Sequence, residues 1–180
     1  MKIQFLRPDL HQIDRVVADT FVTCVFEEER PPRGLAGLLD WRLCGRLSGM
    51  LVRGQLTGRF REAVLFPSYG RLPTTRVCAY GLGKVADFSP ARAREASWYV
   101  ADSLHKLRVN SFIAALPGSP LATLPVRPRM ELFLEELHRV FGPDEASGPI
   151  EAYIVEPQEA HRDLTDVVST LVRKLRVIWK

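Results

Sequence analysis

A glycine motif at the end of a predicted strand is the feature most suggestive of cofactor chemistry. Residues Gly81 to Ala86 run Gly-Leu-Gly-Lys-Val-Ala, which matches the G-x-G-x-x-A pattern of dinucleotide-binding turns. In those turns the next helix begins at the motif, so that its N-terminal amides face the pyrophosphate. Here the next predicted helix begins only at Ser89-Pro90, and the following acid, Asp102, falls inside that helix. The motif therefore does not predict a dinucleotide site, and no cofactor is expected.

The sequence lacks metal-ligand spacing. The four histidines are scattered: His11, His105, His138 and His161. They form no H-x-x-x-H pair and have no cysteine neighbours. Glu135 and Glu136 precede His138 on a predicted helix, but we expect them on its solvated face, away from Phe133 and Leu137. No metal site is predicted.

Cysteine chemistry is not indicated either. Cys24, Cys44 and Cys78 are far apart and each is set among apolar residues. No C-x-x-C pair occurs, so we predict three small buried side chains rather than a redox or zinc site.

Candidate nucleophiles lack identifiable partners. Ser119, in the segment Pro117–Pro120, follows a predicted strand, but no histidine or acid can be assigned to it from sequence. Ser48 lies within a predicted helix rather than at a strand-to-helix turn. We therefore expect no catalytic residue and no enzymatic activity.

Three adjacent carboxylates, Glu27 to Glu29, close the second predicted strand. Such a run can bind a cation or a basic partner, but it is more often a solvated loop, and a solvated loop is our prediction.

The charge balance leaves nucleic-acid binding open. The formal net charge is +4, and 20 of the 25 basic residues are arginine, whose planar fork suits phosphate. Solvated helix surface is the alternative explanation for these cations. The candidate nucleic-acid contacts are Arg42, Arg46, Arg53, Arg59, Arg61, Arg173, Lys174 and Arg176.

The elements that would position these residues are six strands and four helices. Apolar runs predict strands near Lys2–Leu6, Val16–Phe26, Glu62–Phe66, Arg76–Gly81, Ser111–Leu116 and Ile150–Val155. Helical periodicity predicts helices over Leu35–Val52, from Ser89-Pro90 to about Leu107, from about Pro128 to Phe141 and over Glu159–Trp179.

Alternation of these elements predicts the fold class. Strands that alternate with helices imply crossovers and a largely parallel sheet, and several strands are apolar enough to be covered on both faces. We expect the two opening strands to pair antiparallel across a short turn at Pro8–Asp14. The expected fold is α/β, a three-layer α/β/α domain with a mixed sheet of about six strands spanning residues 1–180. No membrane span or signal segment is evident, so we expect a cytoplasmic protein.

The stretch from Cys24 to Lys84 resembles the N-terminal domain of the leucyl (cytosol) aminopeptidase family. The markers are a strand ending near Phe26, a helix at Leu35–Asp40, a turn at Thr57–Phe60, a strand ending in Gly81–Lys84 and a helix after Ser89-Pro90. The resemblance implies a macro-domain-like fold. It also implies that peptidase chemistry is absent, because in that family the metal site lies in a separate C-terminal domain, and this chain ends at Lys180 without that domain's signature.

The macro-like fold implied by the resemblance raises the question of ADP-ribose. Ser111–Gly118 is similar to the strand and loop that carry the distal phosphate in macro domains. However, Glu27–Glu29 and a lone Gly34 stand where macro domains have an Ala-Asn dipeptide and a triple glycine, and carboxylates repel a diphosphate. Gly34, Gly118 and Ser119 are retained as weak ligand-binding candidates.

Three functions remain as expectations. The leading one is a non-catalytic binding or assembly domain that associates with itself or with another protein subunit, such as a peptidase. Nucleic-acid binding through the arginine clusters is the alternative, and nucleotide binding in the macro-like cleft is a further one.

Overall fold

A computed structural model describes residues 1–142 and 150–178 of the chain, and of the side chains after residue 171 nothing is stated. Within this part the chain forms six strands and six α-helices. The strands are β1 (Lys2–Leu6), β2 (Thr20–Val25), β3 (Ala63–Pro67), β4 (Arg76–Gly81), β5 (Ser111–Ala114) and β6 (Glu151–Val155). The helices are α1 (Leu10–Ile13), α2 (Gly34–Arg42), α3 (Arg46–Val52), α4 (Pro90–Lys106), α5 (Val126–Phe141) and α6 (His161–Ile178).

The sheet is mixed, as the sequence predicted, but its antiparallel strand lies elsewhere. The strand order is β1-β6-β5-β2-β4-β3, and every pairing among the described strands is parallel except that of β3 with β4. The predicted antiparallel pairing of β1 with β2 is wrong. Residues 7–19, which include α1, are long enough for a crossover, so β2 enters the centre of the sheet in the same direction as β1.

Helices cover both faces of the sheet and create two cores. Alternate residues of β2 point to opposite faces, so Phe21 and Val25 pack in the core beneath α2 and α3, whereas Val22 and Cys24 pack beneath α4, α5 and α6. This arrangement confirms the predicted three-layer α/β/α class.

The helix predicted over Leu35–Val52 is two helices. The chain turns between them at Cys44 and Gly45, whose φ angles are 55° and 76°. Asp40 secures the turn, since its carboxylate accepts hydrogen bonds from the Ser48 amide (2.9 Å) and the Ser48 hydroxyl (2.5 Å). The leucine repeat continues across the break because both helices pack on the same core.

The start of α4 is as predicted. Ser89 caps it by accepting a hydrogen bond from the Arg92 amide, and Pro90 occupies the first helical position. The helix thus begins nine residues after Gly81, which excludes the dinucleotide-type turn.

Candidate functional site

A cavity of about 340 Å³ opens at the carboxyl ends of the parallel strands. Its walls include Pro8 after β1, Gly34 after β2, Ser119 after β5 and Glu156 after β6. It lies where the helix after β2 packs on one face of the sheet and the helix after β5 packs on the other. This crossover point is where open α/β sheets characteristically bind ligands.

Three polar side chains meet at one wall of the cavity. The Ser119 hydroxyl donates to Oε1 of Glu156 over 2.5 Å, and the Leu116 amide donates to the same oxygen over 3.2 Å. Nη1 of Arg129, in the first turn of α5, donates to Oγ of Ser119 over 2.6 Å and lies 3.7 Å from Oε1 of Glu156. We call Ser119, Arg129 and Glu156 the wall triad.

Electrostatics at the wall triad are set by burial. The Glu156 side chain is nearly inaccessible, and burial raises its pKa, which Arg129 and the Ser119 hydrogen bond partly offset. Burial likewise lowers the pKa of Arg129. Because the Ser119 hydroxyl donates to one partner and accepts from the other, its oxygen is held in place, an arrangement that suits a rigid binding wall better than an attacking nucleophile.

Sequence reasoning missed two members of the wall triad. Glu156 ends an apolar strand and carries no local motif. Arg129 did leave a signal, because it lies four residues before Phe133 and therefore on the apolar face of α5.

The three candidate ligand residues are partly brought together. Gly34 and Ser119 both line the cavity. Gly34 has a φ of +51°, and a Cβ there would lie 3.1 Å from the Pro120 ring, so a side chain would be both strained and crowded at this edge. Gly118 is buried beside the cavity, and a Cβ there would meet Phe88 at 2.6 Å, so it serves packing.

The acidic run after β2 is only in part the solvated loop that we predicted, because Glu28 is exposed and Glu27 half-exposed but Glu29 is not. The Glu29 side chain is buried, and its carboxylate accepts hydrogen bonds from the amides of Phe26 (3.1 Å) and Arg33 (2.8 Å). Burial raises the pKa of Glu29, which these bonds oppose. Glu28 accepts from the Val85 amide. Glu28 and Glu29 therefore accept hydrogen bonds from loop amides of the chain itself.

The second carboxylate prediction also needs correction. Glu136 on α5 is buried rather than solvated, since only 2% of its surface is exposed. Its oxygens lie 3.0 Å from Arg94 and 2.5 Å from Arg139, and the ion pair with Arg94 links α5 to α4. The two arginines supply the positive charge that makes the burial tolerable.

The glycine motif has a packing role. A Cβ on Gly81 would lie 2.0 Å from the Arg59 carbonyl oxygen, and Gly83 has a φ of +77° beside Phe60. These glycines let the end of β4 approach the turn at Thr57–Phe60.

The arginines singled out as nucleic-acid contacts are spread over both helical layers. Arg42 on α2 pairs with Asp14, whereas Arg61 pairs with Glu95 on α4, across the sheet. Arg53 and Arg59 are exposed. The side chains of Arg173, Lys174 and Arg176 lie outside the described part of the chain.

The exposed aromatic residue Tyr69 accompanies Arg46 at the opposite end of the sheet from the cavity. Arg46 donates to the Tyr69 hydroxyl over 3.0 Å and stacks 4.6 Å from its ring centre. Arg71 donates to Sγ of Cys44, which follows Trp41 in the turn after α2. We call Trp41, Arg46, Tyr69 and Arg71 the α2–α3 patch. Cys44 is exposed here, so its predicted burial is wrong, whereas Cys24 and Cys78 are buried as predicted.

The described residues were also compared with the requirements of a metal site and of a membrane-spanning helix. No group of three or more histidine, cysteine, aspartate or glutamate side chains there could hold a metal ion. No helix within residues 1–142 and 150–178 is long and apolar enough to cross a membrane.

The sheet order and the cleft at its carboxyl edge define a macro-domain-like α/β fold. The Trypanosoma brucei macrodomain solved in complex with ADP aligns with a TM-score of 0.71 at 16% identity, over 93% of this chain and 69% of that chain. A variant of tomato leucine aminopeptidase aligns with a TM-score of 0.58 at 15% identity, over 93% of this chain and 35% of that chain. At these identities the likeness shows the fold alone.

The family follows from the sequence itself. Residues 22–125 match the model of the cytosol aminopeptidase family, N-terminal domain, and this chain belongs to that family. A probable cytosol aminopeptidase of Geobacter sp. (strain M21) is 33% identical over 78 residues, which make up 43% of this chain. Those residues span only 16% of that relative's length. The resemblance noted in the sequence is confirmed, and the match covers the N-terminal domain of the family rather than its peptidase domain.

Proposed function

We propose that this chain is a non-catalytic protein-association domain that binds through the α2–α3 patch. The observation that carries the proposal is the exposure of two large aromatic side chains that each lie beside an arginine, Trp41 beside Arg42 and Tyr69 beside Arg46. Trp41 is 67% exposed and Tyr69 is 59% exposed. Trp, Tyr and Arg are the residue types that contribute most binding energy at protein interfaces.

The charges of the patch indicate the chemistry of the partner. Within the described residues Arg46 and Arg71 make no ion pair, and their hydrogen bonds go to the Tyr69 hydroxyl and the Cys44 sulfur. Nε of Arg46 is shielded from solvent without a hydrogen-bond partner among the described groups. A partner surface that presents carboxylates would satisfy these guanidinium groups and cover both rings.

The cleft supports nucleotide binding less well. Glu29 already accepts the amides of Phe26 and Arg33, and Glu156 accepts that of Leu116, so these three amides are bonded within the chain. A diphosphate would have to displace these carboxylates and face their charge.

The test is affinity capture of the tagged protein from its native cells, with and without nuclease treatment, together with sedimentation of the purified protein to detect self-association. The patch variant combines Trp41→Ala and Tyr69→Ala. The control is Leu65→Ala, which removes an exposed apolar side chain from β3. We expect one stoichiometric partner, or a defined oligomer, that the control retains and the patch variant loses.

Two outcomes would overturn the proposal. An association that the patch variant keeps would place the interface elsewhere. Binding of nucleic acid alone, lost steeply as salt rises and weakened by Arg46→Ala, would instead favour the nucleic-acid function, because exposed rings beside arginines also suit stacked bases.

A further inference from the structure

We propose that the partner of the α2–α3 patch is a second copy of this chain, which binds the patch through three carboxylates at the start of α6. The inference rests on the proposed function, because it assigns the partner of the same surface. We call these carboxylates the acidic stripe: Glu159, Asp163 and Asp166. Since the patch and the acidic stripe are different surfaces, the copies associate head to tail.

Charge is segregated along the chain. Residues 41–86 contain eight arginine and lysine residues and one acid, Glu62, whereas residues 131–166 contain ten acids and two arginines. The first segment includes β3 and β4, the second includes β6, and β5 and β2 lie between them in the sheet. The basic and acidic segments therefore lie towards opposite ends of the strand order. Two copies attract when the basic side of one faces the acidic side of the other.

The acidic stripe is exposed and has no internal counterion. Glu159 lies in the 3₁₀ turn Gln158–Ala160 that leads into α6, and Asp163 and Asp166 follow four and seven residues later. This spacing places the three carboxylates on one side of the helix, where all three are exposed. None of them forms an ion pair with a described residue. Arg162, which is also exposed, lies beside them on α6.

The acids close to the patch are already bonded elsewhere. Asp40 accepts hydrogen bonds from the amide and the hydroxyl of Ser48, and Asp14 pairs with Arg42. The arginines of the patch instead donate to a tyrosine hydroxyl and a cysteine sulfur. Carboxylates from a second molecule would give these guanidinium groups charge-assisted hydrogen bonds, which are the stronger kind.

The two surfaces cannot meet within one molecule. Leu164 and Val167 of α6 pack in one core, whereas Leu39 of α2 and Leu47 of α3 pack in the other. The acidic stripe and the patch therefore belong to opposite faces of the sheet, and one neighbour cannot cover both. Each copy binds one neighbour through its stripe and another through its patch, which builds a ring or an open chain of copies.

Charge should orient the contact, and the aromatic side chains should supply most of the affinity. Exposed ion pairs contribute little individually and are screened by salt, whereas Trp and Tyr side chains dominate binding at interfaces. Self-association should therefore weaken by roughly tenfold between about 0.05 M and about 0.5 M salt. Trp41 and Tyr69 should be necessary at both salt concentrations.

The test is sedimentation velocity of the purified, nuclease-treated protein over a range of concentrations at low and high salt, with circular dichroism to verify that each variant is folded. The stripe variant combines Glu159→Gln, Asp163→Asn and Asp166→Asn. Its control removes three carboxylates elsewhere through Glu27→Gln, Asp87→Asn and Glu131→Gln. We expect the wild type and the control to form oligomers larger than a dimer. The stripe variant and the patch variant should each remain monomeric.

A mixture of the two variants tests the head-to-tail geometry. The stripe variant retains an intact patch, and the patch variant retains an intact acidic stripe. An equimolar mixture should therefore form a dimer of one copy of each variant. This dimer should grow no further, because both surfaces that remain uncovered carry substitutions.

The inference fails if the wild type is monomeric at low salt, if the stripe variant forms the oligomers of the wild type, or if the mixture stays monomeric. It also fails if the control loses the oligomers as the stripe variant does. Capture of a different protein through the patch would overturn the inference and leave the proposed function standing. Association that the patch variant retains would instead overturn the proposed function.

Discussion

Ser119 and Glu156 lie 37 residues apart in the chain, yet the hydroxyl of one donates to the carboxylate of the other over 2.5 Å. Each follows a parallel strand, β5 and β6 respectively, and the pairing of those strands brings the two loops together. The contact closes one wall of the cavity, and Arg129 completes it from α5.

Removal of the Ser119 hydroxyl should destabilise the protein. In Ser119→Ala, Glu156 loses a donor and Arg129 loses an acceptor in a buried setting, which costs about 1–3 kcal/mol. Thr165→Ala is the control, because its exposed hydroxyl bonds only to the carbonyl of His161 within α6. Urea denaturation measures the free energy of unfolding of both variants. Equal losses would show that the Ser119 hydroxyl contributes no more to stability than the exposed Thr165 hydroxyl does.

The buried Glu156 carboxyl should make stability depend on pH. Its pKa is raised above the usual value, so between those two values the folded protein binds more protons there than the unfolded chain. The free energy of unfolding contributed by this group therefore falls as pH rises through that window. Glu156→Gln cannot titrate, so the wild type should lose stability relative to the variant as pH rises from the ordinary pKa of a glutamate through the raised pKa of Glu156. If the wild type instead became more stable relative to the variant as pH rises, folding would have to lower the pKa of Glu156.

Glu29 should be important for the loop after β2. In Glu29→Ala the amides of Phe26 and Arg33 lose their acceptor, and the free energy of unfolding should drop by at least about 2 kcal/mol. Glu27→Ala changes a half-exposed neighbour and should stay within about 0.5 kcal/mol of the wild type. Equal effects of the two substitutions would restore the solvated-loop interpretation.

The close approach at Gly81 should tolerate no side chain. Gly81→Ala would place a Cβ 2.0 Å from the Arg59 carbonyl oxygen, so backbone must move, and we expect a loss above about 4 kcal/mol or no folding. Gly70→Ala meets open space but has a φ of +71°, and should cost only about 1–2 kcal/mol. Thermal unfolding of the two variants measures how much stability each one loses.

The three thiols should differ sharply in reactivity. Cys44 is exposed, whereas Cys24 and Cys78 are buried, and burial raises the pKa of Cys24 to about 12. A thiol reagent should therefore label one cysteine quickly in the native protein and all three only after unfolding. Cys44→Ser should abolish the fast phase, and a persistent fast phase would contradict the exposure of the turn.

The sequence predicted the strands well because buried parallel strands leave short apolar runs that helices do not. It could not show the break at Cys44 and Gly45, since the leucine repeat serves one core on both sides of it. It also grouped Arg42 with Arg61, which the sheet separates, because proximity along the chain does not indicate which layer an element joins. The partner of Ser119 was invisible for the same reason: only strand order places Glu156 beside it.

The helices that follow β2 and β5 pack on opposite faces of the sheet, and this has a consequence for dynamics. One side of the cavity belongs to α2, which packs on one core, and another side belongs to α5, which packs on the other. A molecule held there would contact both helical layers. Amide hydrogen exchange should then slow in α2 and α5 together when the cavity fills, although the two helices share no core.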